Sequence, residues 1–153
     1  MKTIFAVAVL VATQLSQVSV FEGDWRTDLP ANFRMSSIVA VMSEMNFAVT
    51  ADTVKVTLRY VSPGGGSFSS DEIYQTDGLP HAAKDGPGWT YVAMWLNPAL
   101  LDVMKTGRGT RVVTVHSTFS VSADRQTLTQ RHVYSSNGYI DERIFRRSLS
   151  PRS

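Results

Sequence analysis

Phe21-Glu22-Gly23-Asp24-Trp25 lies directly after an apolar N-terminus and opens a series of short alternating segments separated by Gly, Pro, Asn and Asp turns. The turn residues recur between residues 51 and 138 and leave segments of strand length between them. This pattern is typical of an all-β protein, and the preceding apolar stretch indicates export. We therefore predict a secreted all-β barrel that begins near residue 21.

Length and composition indicate one folded domain. Of the 153 residues, 43% are hydrophobic and 18% are charged, as in an ordinary globular protein. The 15 Lys and Arg are set against 13 Asp and Glu, and this formal net charge of +2 does not argue for a nucleic-acid partner. We assign residues 21–147 to the domain and residues 148–153 to a basic tail. Four arginines lie in the last 11 residues, which are either a solvated end or a weak anion-binding segment.

We interpret residues 1–20 as a signal peptide. Lys2 precedes an apolar stretch over residues 3–12, which is too short for the about 20 residues that a membrane-spanning helix needs. No A-x-A cleavage site is present, so we place the mature start between residues 13 and 21; the alternative is a buried N-terminal strand or helix. The chain has no cysteine. We expect a secreted or periplasmic protein without a stable membrane anchor.

Alternation of apolar and polar residues predicts individual strands. Residues 54–60 place four apolar side chains on one face, and residues 113–121 and 127–134 show the same period. An Asn137-Gly138 turn then leads into a strand over residues 139–146, which makes the last two strands a hairpin.

Residues 97–107 are compatible with two structures. Asn97 begins the stretch as a helix N-cap residue would, and Gly107 ends it as a helix C-terminus would. Leu101 and Val103, however, alternate as in a strand. The position between two strand-like segments favours a strand with a bulged start.

These segments predict a single antiparallel up-and-down β-barrel of about eight to ten strands with at most one helix. Closure would remove the unpaired edges that a secreted sheet otherwise exposes. A flat sandwich is the main alternative.

Two features resemble the structural signature of the calycins, the superfamily of lipocalins and fatty-acid-binding proteins. Gly23-x-Trp25 falls on the first predicted strand, and several arginines fall on the last. In that superfamily the Trp closes one barrel end beneath an Arg of the final strand. We assign Arg143 and Arg146 to this signature, and Arg147 competes with them for the position over the Trp.

Residues 21–28, 74–80 and 121–129 resemble uncharacterised lipocalin-like exported bacterial proteins. The resemblance implies a barrel that binds a small molecule, and it supplies no catalytic residue.

No combination of residues predicts catalysis, a metal site or a cofactor. His81, His116 and His132 lack metal-ligand spacing, and no G-x-S-x-G motif is present. The neighbouring acids Asp71-Glu72 and Asp141-Glu142 would point to opposite faces of their strands. The sequence leaves open whether the protein is an enzyme and favours one that is not.

Residues on the apolar faces of separate strands are the candidate ligand contacts: Tyr60, Tyr74, Trp95, Phe119, His132 and Tyr134. They would line a lumen that suits a small hydrophobic or amphipathic molecule, or they would fill a solid core. In the second case we expect an envelope module that binds a protein or anionic partner through its surface. A third hypothesis is a small proton-transfer enzyme that uses His132 with Glu72 or Arg131.

Overall fold

The computed structural model describes residues 20–30, 33–35, 38–84, 86–108 and 112–148. Within these ranges it contains twelve strands: β1 (Gly23–Asp28), β2 (Arg34–Met35), β3 (Ile38–Val39), β4 (Met42–Val49), β5 (Thr53–Val61), β6 (Ser67–Gln75), β7 (His81–Ala82), β8 (Trp89–Asn97), β9 (Leu100–Arg108), β10 (Val112–Val121), β11 (Thr127–Tyr134) and β12 (Ile140–Arg147). Ten of them form one antiparallel sheet in the order β6-β5-β4-β1-β12-β11-β10-β9-β8-β7, and β2 pairs with β3.

The sheet curls into a nearly closed up-and-down barrel. Its two ends meet where β6 approaches β8: the rings of Tyr74 and Tyr91 lie 5.2 Å apart, and the Gln75 amide donates a 3.0 Å hydrogen bond to the Tyr91 hydroxyl. The Gly78 amide donates to the Ala93 carbonyl at 3.0 Å. The predicted all-β class and strand number are confirmed. We call the gap between β6 and the β7–β8 pair the seam.

The ambiguous stretch is a strand. Asn97 does not begin a helix, because its side-chain Oδ1 accepts a 2.8 Å hydrogen bond from the Ala99 amide and stabilises a tight turn. β9 then runs to Arg108 and pairs with β8 after a local irregularity between Trp95 and Asn97. No helix within the described ranges is long and apolar enough to cross a membrane.

Four aromatic rings fill the barrel at one level. Trp95 contacts Phe21 at 5.1 Å between ring centroids, Phe21 contacts Phe47 at 5.2 Å, and Phe47 contacts Phe119 at 5.7 Å, all edge to face. Because β4 and β10 are separated by three other strands of the sheet, the contact between Phe47 and Phe119 crosses the interior. We call these four residues the aromatic floor.

Next to the floor, Trp25 and Arg147 pack together at one end of the barrel. Arg147 is the register partner of Trp25, and its guanidinium lies 4.2 Å from the indole. The guanidinium also donates hydrogen bonds to three backbone carbonyls, those of Val20, Glu22 and Arg125, at 2.8, 2.6 and 2.7 Å.

The arginine over Trp25 is therefore Arg147 rather than Arg143 or Arg146. Arg146, one residue earlier, points to the outer face and donates to the Thr127 hydroxyl, whereas Arg143 enters the lumen four residues away. Gly23 is required beside this arginine, because its φ is +122° and a Cβ would lie only 2.8 Å from the Arg147 guanidinium.

Candidate functional site

A cavity of about 280 Å³ lies in the lumen at the opposite side of the floor from Trp25. Side chains of β6, β8, β9, β10 and β11 line it: Glu72, Tyr74, Trp89, Lys105, Val115, Ser117, His132 and Tyr134. They converge because each lies on the inward face of its strand, as the alternating burial of these strands shows. We call this space the lumen cavity.

The structure distributes the six predicted contact residues over three places. Tyr74, His132 and Tyr134 line the lumen cavity. Phe119 and Trp95 belong to the aromatic floor, where Phe119 is buried and Trp95 partly buried. Tyr60 is buried near another polar cluster, where its hydroxyl accepts a hydrogen bond from Arg143.

His132 is the central polar group of the lumen cavity. Its Nδ1 lies 2.7 Å from the Ser117 hydroxyl, and its ring contacts Phe119 edge to face at 6.4 Å. Burial disfavours the charged imidazolium and lowers the pKa of His132 to about 4, although the nearby Asp141 carboxylate acts in the opposite direction. The imidazole is therefore neutral at pH 7.

This lowered pKa predicts an acid-dependent loss of stability. Between pH 6.5 and pH 4 the unfolded chain binds a proton at His132 that the folded chain does not, so the free energy of unfolding falls by up to about 3 kcal/mol as the pH drops through this range. His132→Gln should lack this contribution. Urea unfolding at several pH values gives the free energy of unfolding of both proteins, and the difference between them cancels the effects of other groups. If the two free energies fell equally between pH 6.5 and pH 4, the prediction would be contradicted.

An ion pair forms the wall of the lumen cavity at the seam. Lys105 Nζ lies 2.6 Å from Glu72 Oε1 and 5.7 Å from the centre of the Tyr74 ring. A second cavity of about 350 Å³ lies outside this wall and shares Glu72, Tyr74 and Lys105 with the first. Lys55, Asp71 and Ala82 are among its other lining residues. The lumen cavity is therefore bordered at the seam by a second cavity, from which the Lys105–Glu72 pair and Tyr74 separate it.

A second polar cluster lies around Arg143. Its guanidinium donates to the Tyr60 hydroxyl at 2.9 Å and to Asp141 Oδ2 at 2.7 Å. Phe33, in the connection between β1 and β4, stacks on the Tyr60 ring at 5.9 Å and lies 4.9 Å from the guanidinium carbon. Burial opposes the charge of Arg143, but Tyr60 and Asp141 outweigh it and raise the pKa above the ordinary value.

Several lining residues were not among the predicted contacts. Ser117 shares the strand parity of Phe119, and Glu72 shares that of Tyr74, so the alternation of residues was the available signal. Lys105 lies in the stretch that was ambiguous between helix and strand, and its face could not be assigned. Gly107 is explained by packing: a Cβ there would lie 2.5 Å from the Trp89 indole.

Chemically, the lumen cavity offers hydrogen-bonding groups and aromatic surface. Within the described part of the chain, no group of three or more His, Asp and Glu residues could hold a metal ion. Of the two proposed proton-transfer partners of His132, Glu72 lines the same cavity, whereas Arg131 is exposed on the outer face and pairs with Glu142.

Solved structures are similar to this chain, although no protein-family model and no curated protein matches it. The fluorescent protein UnaG superimposes with a TM-score of 0.58 at 13% identity, covering 86% of this chain and 99% of that one. A fatty acid binding protein of Schistosoma mansoni, in complex with arachidonic acid, gives a TM-score of 0.52 at 15% identity, covering 86% and 98%. The shared feature is the fold.

The likeness agrees with the expected barrel fold. The ten-stranded sheet resembles that of the fatty acid binding protein rather than the eight-stranded barrel of lipocalins. The likeness therefore supports an up-and-down β-barrel fold and does not assign the chain to a family. At these identities the likeness does not assign an activity.

Proposed function

We propose that this barrel binds a small hydrophobic or amphipathic molecule in its lumen cavity. The observation that carries the proposal is the convergence of three aromatic residues with a small polar set around one space of about 280 Å³. Ligand sites are concave and mostly apolar, with few polar groups that orient the ligand, and their volumes begin near 300 Å³. The schistosome protein of this fold is in complex with arachidonic acid, which supports the binding of a small hydrophobic molecule.

The polar groups of the lumen cavity are suited to orient a ligand rather than to react with it. The Ser117 hydroxyl and His132 Nδ1 are hydrogen-bonded to each other. His132 Nε2 has no hydrogen-bond partner among the residues that the structure describes, which leaves it for a ligand. Tyr74, Trp89 and Tyr134 supply flat apolar surface with polar ends.

Filling the lumen cavity should weaken binding without unfolding the barrel. Val115 lines this cavity, so Val115→Trp is expected to weaken binding at least about tenfold, corresponding to about 1.4 kcal/mol, because the added indole occupies the ligand's space. Val112, on the same strand, is 66% exposed on the outer face, and Val112→Trp is the matched control. Isothermal titration calorimetry with 2-naphthol and with dodecanoate measures both variants.

The result that supports the proposal is binding of at least one probe to the unmodified protein and to Val112→Trp, with loss in Val115→Trp. Binding of neither probe, or equal binding to all three proteins, would contradict it. Circular dichroism of each variant verifies that the barrel remains folded.

The proposed setting is outside the cytoplasm. The charged start and short apolar stretch of residues 1–12 support export, and the signal segment lies outside the described residues except for Val20. Mass spectrometry of protein expressed with its full N-terminus and recovered from the periplasm or medium tests this directly. An intact Met1 would contradict removal of the segment.

One surface feature favours the second candidate, an interaction module. A single register row crosses the outer faces of five adjacent strands and consists largely of apolar residues: Val92, Met104, His116, Val133 and Ile140. Met104 is 44% and Ile140 49% exposed. We call this row the outer row. A ligand that binds here rather than in the lumen would favour the second candidate.

A further inference from the structure

The aromatic floor limits how deep a ligand can reach into the barrel. Phe21 has no exposed surface, Phe47 and Phe119 are each 3% exposed, and Trp95 is partly buried, so within the described part of the chain the three phenylalanine rings are closely packed. Phe119 also contacts the ring of His132, which lines the lumen cavity. The cavity therefore ends at this level.

Volume then restricts the size of the ligand. The cavity volume of about 280 Å³ equals the liquid volume of roughly nine water molecules at about 30 Å³ each. For comparison, an apolar cavity of about 150 Å³ is large enough for benzene. One or two fused rings fill such a space, whereas an extended long acyl chain is too large for it.

The charges of the lumen restrict the ligand further. Lys105 is paired with Glu72 at 2.6 Å, and Arg143 with Asp141 at 2.7 Å. His132 is neutral, as described above. Because Lys105 and Arg143 already have acidic partners, a carboxylate or an ammonium group would enter the cavity without a counter-charge and would lose its hydration.

We propose that the preferred ligand of the lumen cavity is a compact, uncharged aromatic compound of one or two rings with a hydrogen-bonding group, rather than a long-chain fatty acid. The proposal rests on the proposed function and specifies its ligand class. The rings lie among Tyr74, Trp89 and Tyr134, and the polar group bonds at His132 and Ser117.

A matched set of ligands tests the proposal. We would titrate the full protein at pH 7 with 2-naphthol, which is uncharged, with 2-naphthoate, an anion, with 2-naphthylmethylamine, a cation, and with dodecanoate. We expect 2-naphthol to bind at least about tenfold more tightly than each of the other three.

The outcomes separate the two proposals. Dodecanoate or either charged naphthalene binding as tightly as 2-naphthol, with that binding lost in Val115→Trp, would overturn the ligand class and leave lumen binding intact. Binding of none of the four would overturn both.

Opening the floor supplies a second test. Phe119→Ala removes the ring beneath His132, so it is expected to raise the affinity for dodecanoate at least about tenfold relative to the unmodified protein. An affinity for dodecanoate that does not rise would show that the floor does not limit the ligand. If this variant does not fold, Phe119→Leu, which removes less volume, takes its place, and the ligand set on the unmodified protein decides the question by itself.

Discussion

Replacing Phe21 by alanine is expected to lower the free energy of unfolding by about 3–5 kcal/mol. Phe21 has no exposed surface and contacts both Trp95 and Phe47, so its removal leaves a cavity in the centre of the aromatic floor. Its backbone carbonyl also accepts a 2.9 Å hydrogen bond from the Trp25 indole. Urea unfolding followed by tryptophan fluorescence measures the change.

Phe68→Ala is the control for this prediction, because Phe68 is 43% exposed on β6 and should cost less than about 1 kcal/mol. Equal losses for the two variants would show that Phe21 is not part of the core.

The contacts of Val20 constrain the proposed signal cleavage. Val20 is 8% exposed and its carbonyl accepts a hydrogen bond from Arg147, so a cut after Val20 would remove part of the folded barrel. We therefore expect the mature chain to begin at or before Val20.

Replacing Arg147 by methionine is expected to destabilise the barrel by about 2–4 kcal/mol. The variant loses three charge-assisted hydrogen bonds to backbone carbonyls, each worth about 1.5–3 kcal/mol before solvent exposure is considered, together with the contact on Trp25. Arg147→Lys should recover only a minor part, because an ammonium group cannot reach three separate carbonyls in the guanidinium's geometry. Thermal and urea unfolding measure both changes.

The control is the neighbouring arginine. Arg146 is exposed and donates only to the Thr127 hydroxyl, at 3.1 Å, so Arg146→Met should change the free energy of unfolding by less than about 0.5 kcal/mol. If the two methionine variants were equally stable, the hydrogen bonds from Arg147 to the carbonyls of Val20, Glu22 and Arg125 would make no net contribution to stability.

Much of the fold could be predicted because strand alternation and turn residues are local signals. Residues 54–60 and 127–134 show their inward faces directly, and Asn137-Gly138 specifies its hairpin. Residues 97–107 were harder, because the propensities of Asn97 and Gly107 resemble those of helix ends. In the structure the two residues have other roles: Asn97 stabilises a turn, and Gly107 leaves room for the Trp89 ring.

The site was less predictable, because parity shows that a residue points inward but not at which level of the barrel it lies. Tyr74 and Trp95 both point inward, yet one lines the lumen cavity and the other packs in the floor. That difference depends on the register between strands and on Phe21, which enters from outside the sheet. The choice among Arg143, Arg146 and Arg147 depended on the same register.

The most direct test of lumen binding is methyl NMR of the unmodified protein with labelled valines, titrated with 2-naphthol. Val115 lines the lumen cavity, whereas Val92 and Val133 belong to the outer row and Val112 is exposed on the outer face. We predict that the Val115 methyl resonances shift progressively with ligand while those of Val112 remain in place. Shifts confined to Val92, Val112 and Val133, with Val115 unchanged, would contradict binding in the lumen.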